Sequence, residues 1–348
     1  MLKTKQKIAT MKELSEAIGI SRPTLSRYFQ DPGSVRTSTS SKIKERLAEV
    51  DYVYNFIATR QNRKSSGLIG VIVPQYNDMF FASLLESIKK AVRGTGFTMI
   101  TQSSDGSAEG EVQAVGRLRS LGADGAIIAP LGVESSMEAL QLAIGDFPIV
   151  FADSRPFEPI ENADFIGTDN AQSIASIVEY LCRTGGAPIF LDMPLVNSNA
   201  IERRDAYIAK MEELGLSPEF VEVETGDETW QFEAYGQRVM DAHFGRLHHT
   251  TDTILCANDR IAIGAIGAAN KHGLFARGGD RNPGLRIAGH DDHPLSQYMY
   301  PAITTAAQDV KGIGEDAVRL LLERVREERV DSPRTIRREA MLQIRSST

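Results

Sequence analysis

The chain has 348 residues, 42% hydrophobic and 24% charged, with a net charge of −7, which is too long for one small core and has the composition of an ordinary globular protein. No apolar run approaches the roughly 18 residues a membrane span needs, and the first residues hold no apolar signal core, so the sequence predicts a cytoplasmic protein with no membrane partner. Cys182 and Cys256 have no further Cys at ligand spacing, which excludes a disulfide framework and a zinc centre and leaves both as core residues.

The charge is unevenly spread: residues 1–66 carry 13 Lys and Arg against 6 Asp and Glu, or +7, leaving −14 for the remainder. A basic start on an acidic body points to a polyanion bound by the first part alone, although a solvated basic tail would give the same count. A tail would lack periodicity, and here Leu14, Ala17 and Ile18 recur at helical spacing after Thr10, whose hydroxyl can cap the helix in a capping box with Glu13. Gly19-Ile20-Ser21 breaks the pattern, and Ser21 can cap a second short helix that turns Leu25 and Phe29 inward, which makes a helix-turn-helix signature. After the turn Asp31-Pro32-Gly33 a third helix is expected through Ile43, Leu47 and Val50. Residues 51–66 are mostly polar and read as a hinge, so the chain divides into a helical module over 1–50, the hinge, and a body over 67–348.

In the body, apolar strand-like runs alternate with helical patterns, from Leu68–Val73, Phe80–Val92 and Phe97–Thr101 through Val112–Leu121, Ala126–Ala129 and Pro148–Ala152. The alternation resumes at Ala187–Leu191 and continues past Thr253–Cys256 and Ile261–Asn270 to Val310–Val325 and a strand-like Thr335–Ile344. Strands alternating with crossover helices predict parallel sheets covered on both faces. This length suits two similar lobes with a cleft between them, and ligands of such sheets sit outside the carboxyl ends of the strands.

Gly19-Ile20-Ser21-Arg22-Pro23-Thr24-Leu25-Ser26-Arg27, Asp51-Tyr52-Val53-Tyr54-Asn55, Gly70-Val71-Ile72-Val73-Pro74, Ala257-Asn258-Asp259, Gly289-His290-Asp291-Asp292 and Thr304-Thr305 occur in an order and spacing that resemble the LacI/GalR family of bacterial regulators over the whole chain. The resemblance implies an N-terminal all-α, lambda-repressor-like helix-turn-helix domain joined to an α/β, two-lobed sensor of the type I periplasmic-binding-protein kind with parallel sheets. It implies a homodimer on double-stranded DNA at a pseudo-palindromic operator, a small sugar or polyol as effector, and no cofactor. Lobe 1 is expected over about 67–167 plus 308–335, and lobe 2 over about 168–307 plus 336–348.

By resemblance the base-reading positions are Arg22, Pro23 and Arg27, arginine being able to donate two hydrogen bonds to one guanine. Thr10, Ser21, Thr24, Ser26, Tyr28 and Asn55 are expected near phosphates. Ile57 and Ala58 form the apolar side of a hinge helix, and Gln61 stands where relatives carry a leucine wedged into the minor groove. The resemblance assembles the effector cleft from Asp153, Arg203, Asn258, Asp291 and Gln308 for hydroxyls, with Phe80, Phe81 and Trp230 over a ring's apolar faces. Arg203 and Asp291 are expected to hold the effector across the cleft, against the plainer reading of Asp153, Arg203 and Asp291 as structural ion pairs.

Other classes fit less well. Gly312-Ile313-Gly314-Glu315-Asp316-Ala317 matches a dinucleotide fingerprint as a string but lies near the C-terminus, and four adjacent residues His290-Asp291-Asp292-His293 cannot easily aim at one metal ion. An enzyme is therefore not expected. A sugar-binding protein or enzyme of the same fold, and a regulator answering to a protein partner or a non-sugar metabolite, are the alternative readings.

Overall fold

The computed structural model describes residues 6–30, 32–52, 65–132, 137–144, 147–157, 160, 163–224, 230–246, 252–275, 284–327 and 332–348. The chain forms two compact units, Met1–Ser66 and Gly67–Thr348.

In the first unit a strand β1 (Gln6–Ile8) precedes α1 (Met11–Ile18), α2 (Arg22–Gln30) and α3 (Thr37–Leu47), and β2 (Val50–Tyr52) pairs in parallel with β1. Thr10 caps α1 by accepting from the Glu13 N–H at 3.2 Å, while Glu13 Oε2 accepts from Ala9 N–H at 3.0 Å. These bonds satisfy donors that a helix start leaves free. Gly19 ends α1 at φ 64°, a left-handed conformation that costs glycine little. Leu14, Ile18, Leu25, Tyr28 and Ile43 close a small core with Ile8. One expectation changes here: the third helix stops at Leu47, because Val50 belongs to β2. Tyr28 packs its ring into this core and is only 7% exposed, three positions from Leu25 on the same face of α2.

The second unit holds two sheets. The first contains β3 (Leu68–Val73), β4 (Thr98–Ser103), β5 (Gly125–Ile128), β6 (Ile149–Ala152), β7 (Asp164–Thr168) and β12 (Thr335–Arg338), in the order β12-β7-β6-β5-β3-β4. The second contains β8 (Ile189–Leu191), β9 (Thr253–Cys256), β10 (Arg286–Asp291), β11 (Thr304–Ala307) and β13 (Met341–Gln343), in the order β13-β11-β10-β9-β8. All pairings are parallel except that of β13 with β11. The all-buried strands Leu68–Val73 and Gly125–Ile128 are what a sheet covered on both faces requires.

Helices α4 (Met79–Val92), α5 (Ala108–Ser120), α6 (Met137–Ile144) and α11 (Val310–Val325) cover the first sheet. The second is flanked by α7 (Asn170–Thr184), α8 (Ser198–Glu213), α9 (Phe232–Arg246) and α10 (Asp259–Lys271). The chain passes between the sheets after β7, after β11 and after β12. The stretch expected as one strand from Thr335 to Ile344 is two, because Glu339-Ala340 is where the chain changes sheets. The last crossing therefore falls at 339–340 rather than 335. It is bracketed by Gln172, which accepts from Ala340 N–H at 2.9 Å and donates to its carbonyl at 3.2 Å.

Gly312 and Gly314 open α11 directly after β11, but β11 and β12 lie in different sheets, so no nucleotide-binding βαβ unit results. A side chain at Gly314 would come within 2.4 Å of Ser87 Oγ on α4, so close helix packing accounts for that glycine.

Candidate functional site

Polar groups gather where strands of both sheets end. Asp153 follows β6 at φ 70°, Asn258 follows β9, Asp291 ends β10 at φ 115°, and Gln308 follows β11. Arg203 reaches them from α8. It donates to Asp291 Oδ1 at 2.8 Å, to the Ala257 carbonyl at 2.8 Å and to Asn170 Oδ1 at 3.2 Å. Gln308 donates to the same Asp291 oxygen at 2.7 Å, and its carbonyl accepts from Thr168. His290, fully buried, places Nδ1 2.8 Å from Asp291 Oδ1 and Nε2 2.8 Å from Ser173 Oγ. Both nitrogens of that histidine are thus engaged by protein groups, one on β10 and one on α7.

One cavity brings together all eight effector positions read from the sequence: Phe80, Phe81, Asp153, Arg203, Trp230, Asn258, Asp291 and Gln308. Arg203 on α8 and Asp291 on β10 belong to the same lobe and form a buried ion pair. What faces them from the other lobe is Asp153. Its Oδ2 accepts from Asn199 at 3.2 Å, and among the described residues no donor reaches its other oxygen. Asn258 Oδ1 caps α10 by accepting from Ile261 N–H at 2.8 Å, which leaves its amide N–H₂ for the cavity. Trp230 lies 6.4 Å from Phe81 and 5.8 Å from Phe232 between ring centroids, so an aromatic wall spans the two lobes.

The two carboxylates are in opposite electrostatic states. Burial favours the neutral form of both, but Asp291 has Arg203, His290 and Gln308 against it and is held down at about 2. Burial dominates at Asp153, reinforced by the charges of Asp291 and Asp78 against the partial relief of Arg203, and pushes it up to about 7. Burial also pushes Asp259, at the start of α10, up to about 8. Its Oδ2 accepts from His293 N–H at 2.8 Å and Ser296 Oγ at 2.7 Å, which fixes the loop that carries His293.

Sequence reasoning missed Asp78, Met193, Asn197, Asn199, Phe232, Arg260 and His293 in the cavity wall. Asp78 and Asn197 had a legible signal, since each is a polar residue before a helix start, and both prove to be caps. Arg260 and Phe232 had none.

On α2 the exposed stripe is Pro23 and Arg27, four residues apart, flanked by Arg22. Ser21 is exposed with its hydroxyl 2.8 Å from that of Thr24, and Thr24 and Ser26 are half-buried. Asn55, Ile57, Ala58 and Gln61 lie outside the described residues.

Residues 69–329 match the family described as periplasmic binding protein domain. Over 321 residues, 90% of this chain and 89% of the relative, the sequence is 28% identical to the HTH-type transcriptional regulator MalR of Streptomyces coelicolor. Over 337 residues, 95% and 94% of the two chains, it is 26% identical to the HTH-type transcriptional repressor CytR of Escherichia coli. The chain belongs to the LacI/GalR family. The fold likeness is equally complete: the Lac repressor bound to ONPG in its repressed state superposes with a TM-score of 0.80 at 23% identity, over 97% of this chain and 99% of that one. As a LacI-family protein it is a transcription regulator and not an enzyme. Among the described residues no helix is long and apolar enough to cross a membrane.

Proposed function

We propose that this LacI-family regulator works in the cytoplasm as a homodimer on a pseudo-palindromic operator, and that a small sugar or polyol held between the two lobes of its body sets its affinity for that DNA. The observation that carries the effector reading is the unshared oxygen of Asp153, buried opposite the Arg203–Asp291 pair and beside the free amide of Asn258. That oxygen belongs to the cavity wall, where a ligand rich in hydroxyls can donate a charge-assisted hydrogen bond to it. Phe80, Phe81 and Trp230 offer apolar faces to its ring carbons, while Gln308 braces Asp291. Relatives support the class: the ribose operon repressor of Bacillus subtilis is 24% identical over 317 residues, and a LacI-family regulator from Enterococcus faecium with bound ribose shares the fold at a TM-score of 0.66.

In the DNA unit, Arg22 and Arg27 are the base readers of this proposal, with Pro23 against a thymine methyl and Thr10, Ser21, Thr24 and Ser26 at phosphates. Asn55, Ile57 and Ala58 belong to the hinge contact with DNA, and Gln61 at the wedge position leaves the central base step stacked. The test is binding to DNA upstream of the protein's own gene, with and without each member of a sugar and polyol panel. Arg27→Ala should cost about 1–3 kcal/mol at a guanine-bearing half-site and less on unrelated DNA. Equal losses on both DNAs would reduce Arg27 to a phosphate contact. A panel in which no member shifts DNA binding or thermal stability would point instead to a protein partner or another metabolite.

A further inference from the structure

Beside the polar cluster stands a second charged group that plays no part in the reading above. Arg260, on α10 of lobe 2, donates from Nη1 to Asp78 Oδ2 at 2.9 Å, and Asp78 belongs to lobe 1, where it caps α4. Both side chains are largely out of solvent, at 14% and 6% exposure, so salt screens the pair far less than a surface bridge. Each partner is held in place by its own lobe before they meet. Glu233 grips the other edge of the guanidinium with two bonds of 2.7 Å, and the guanidinium lies 5.1 Å from the Phe232 ring centroid. Asp78 Oδ1 is occupied by Phe80 N–H at 2.9 Å. Each oxygen of Asp78 thus has a protein partner, whereas among the described residues only one oxygen of Asp153 has one.

The topology shows where this contact acts. Two of the three passages between lobes leave β7 and β12, neighbours at one edge of the first sheet, and Asp78 follows β3, three strands from β7. At about 4.8 Å per strand that is roughly 14 Å away. In the second sheet β11 and β13 take two of the crossings and the third enters α7, which packs on both, while Arg260 follows β9, two strands from β11. Another charged contact between lobes, Glu202 on α8 with Arg155 and Arg337, includes a residue of β12 and so lies beside a crossing. A rotation about the crossings moves the Asp78–Arg260 side further than the Glu202 side.

We propose that Asp78 and Arg260 form a latch that holds the two lobes closed in the absence of effector. The latch makes the closed form a populated state of the empty protein, so it sets how much effector is needed to switch it: the apparent dissociation constant falls as the competent fraction rises.

Trp230 is the single tryptophan of the chain, and it packs on lobe 1 at Phe81 and against Gly106, where an added Cβ would meet its indole at 2.6 Å. Its fluorescence reads closure with no ligand present. In the full chain without added sugar, Asp78→Asn, which keeps a capping oxygen and removes the charge, should red-shift the emission and raise the acrylamide quenching constant several-fold. Arg260→Lys, which keeps the charge and loses the fork to Glu233, should do the same. Glu233→Gln, altered away from the lobe contact, should give a smaller shift in the same direction and serves if either of the others fails to fold. Circular dichroism confirms folding of each. Folded variants with the wild-type emission and quenching overturn the latch, as does a shift confined to Asp78→Asn, which would implicate the α4 cap alone.

Discussion

Asp153 and Asp291 are the same side chain held in opposite states by their neighbours, and the difference is measurable. The folded chain binds a proton at Asp153 more tightly than the unfolded chain does, because the group is pushed up to about 7 from the ordinary 3.8. The stability it contributes is therefore complete below about pH 4 and lost as pH rises towards 7, at up to about 1.4 kcal/mol per pH unit. Asp259, raised to about 8, adds a second group of the same sign. Asp291, held at about 2, acts oppositely, its contribution being present above the ordinary carboxylate range and lost only in strong acid. His290, which burial pushes down to about 4, acts against both in the same window, so the test is a difference. In urea denaturation of the effector-free protein from pH 4 to 7, the stability of Asp153→Asn should fall less, or rise more, with pH than that of the wild type. An unaltered slope in the variant would mean that Asp153 is ionised throughout.

Among the elements, α1 and α2 depend on a single left-handed residue. Gly19 takes φ 64° between them, donates its N–H to the Ser15 carbonyl at 3.0 Å, and is followed by Ile20, whose carbonyl accepts from Ser15 Oγ at 2.7 Å. Space is not the constraint, since nothing lies within 4 Å of an added Cβ at Gly19. The cost of Gly19→Ala is conformational, about 1–2 kcal/mol. A unit with so small a core has little reserve, so the substitution should lower the melting of the DNA unit followed by circular dichroism and leave the body unchanged. Equal stability in the variant would mean that the turn relaxes out of the left-handed region.

For the whole molecule, the division at Ser66 and Gly67 is the property to test. Removing residues 1–66 should leave a body that unfolds cooperatively, retains its Trp230 emission and binds whichever sugar the panel identifies with unchanged affinity, while operator binding is abolished. Calorimetry and gel shifts on the same preparations check both halves. Loss of sugar affinity on truncation would place part of the sensor in the first unit.

The helix-turn-helix and the alternation of the body are legible in sequence because they depend on local signals, namely caps, turn glycines and apolar periodicity, whereas the eight cavity positions come from the family resemblance. The burial of the Tyr28 ring follows from a signal of the same kind, its place three residues from Leu25 on one face of α2. Beyond that, the sequence is silent on anything requiring two distant segments to meet. It could not show that Arg203 and Asp291, 88 residues apart, bond to each other, or that Asp78 meets Arg260 across 182 residues. It could not place the last crossing at Glu339-Ala340, because alternation runs through those residues without a break and only strand pairing tells which sheet each half joins. Local propensity chose the elements of this regulator, and sheet order, set by packing over long separations, chose which charges are paired and which one is left open to a ligand.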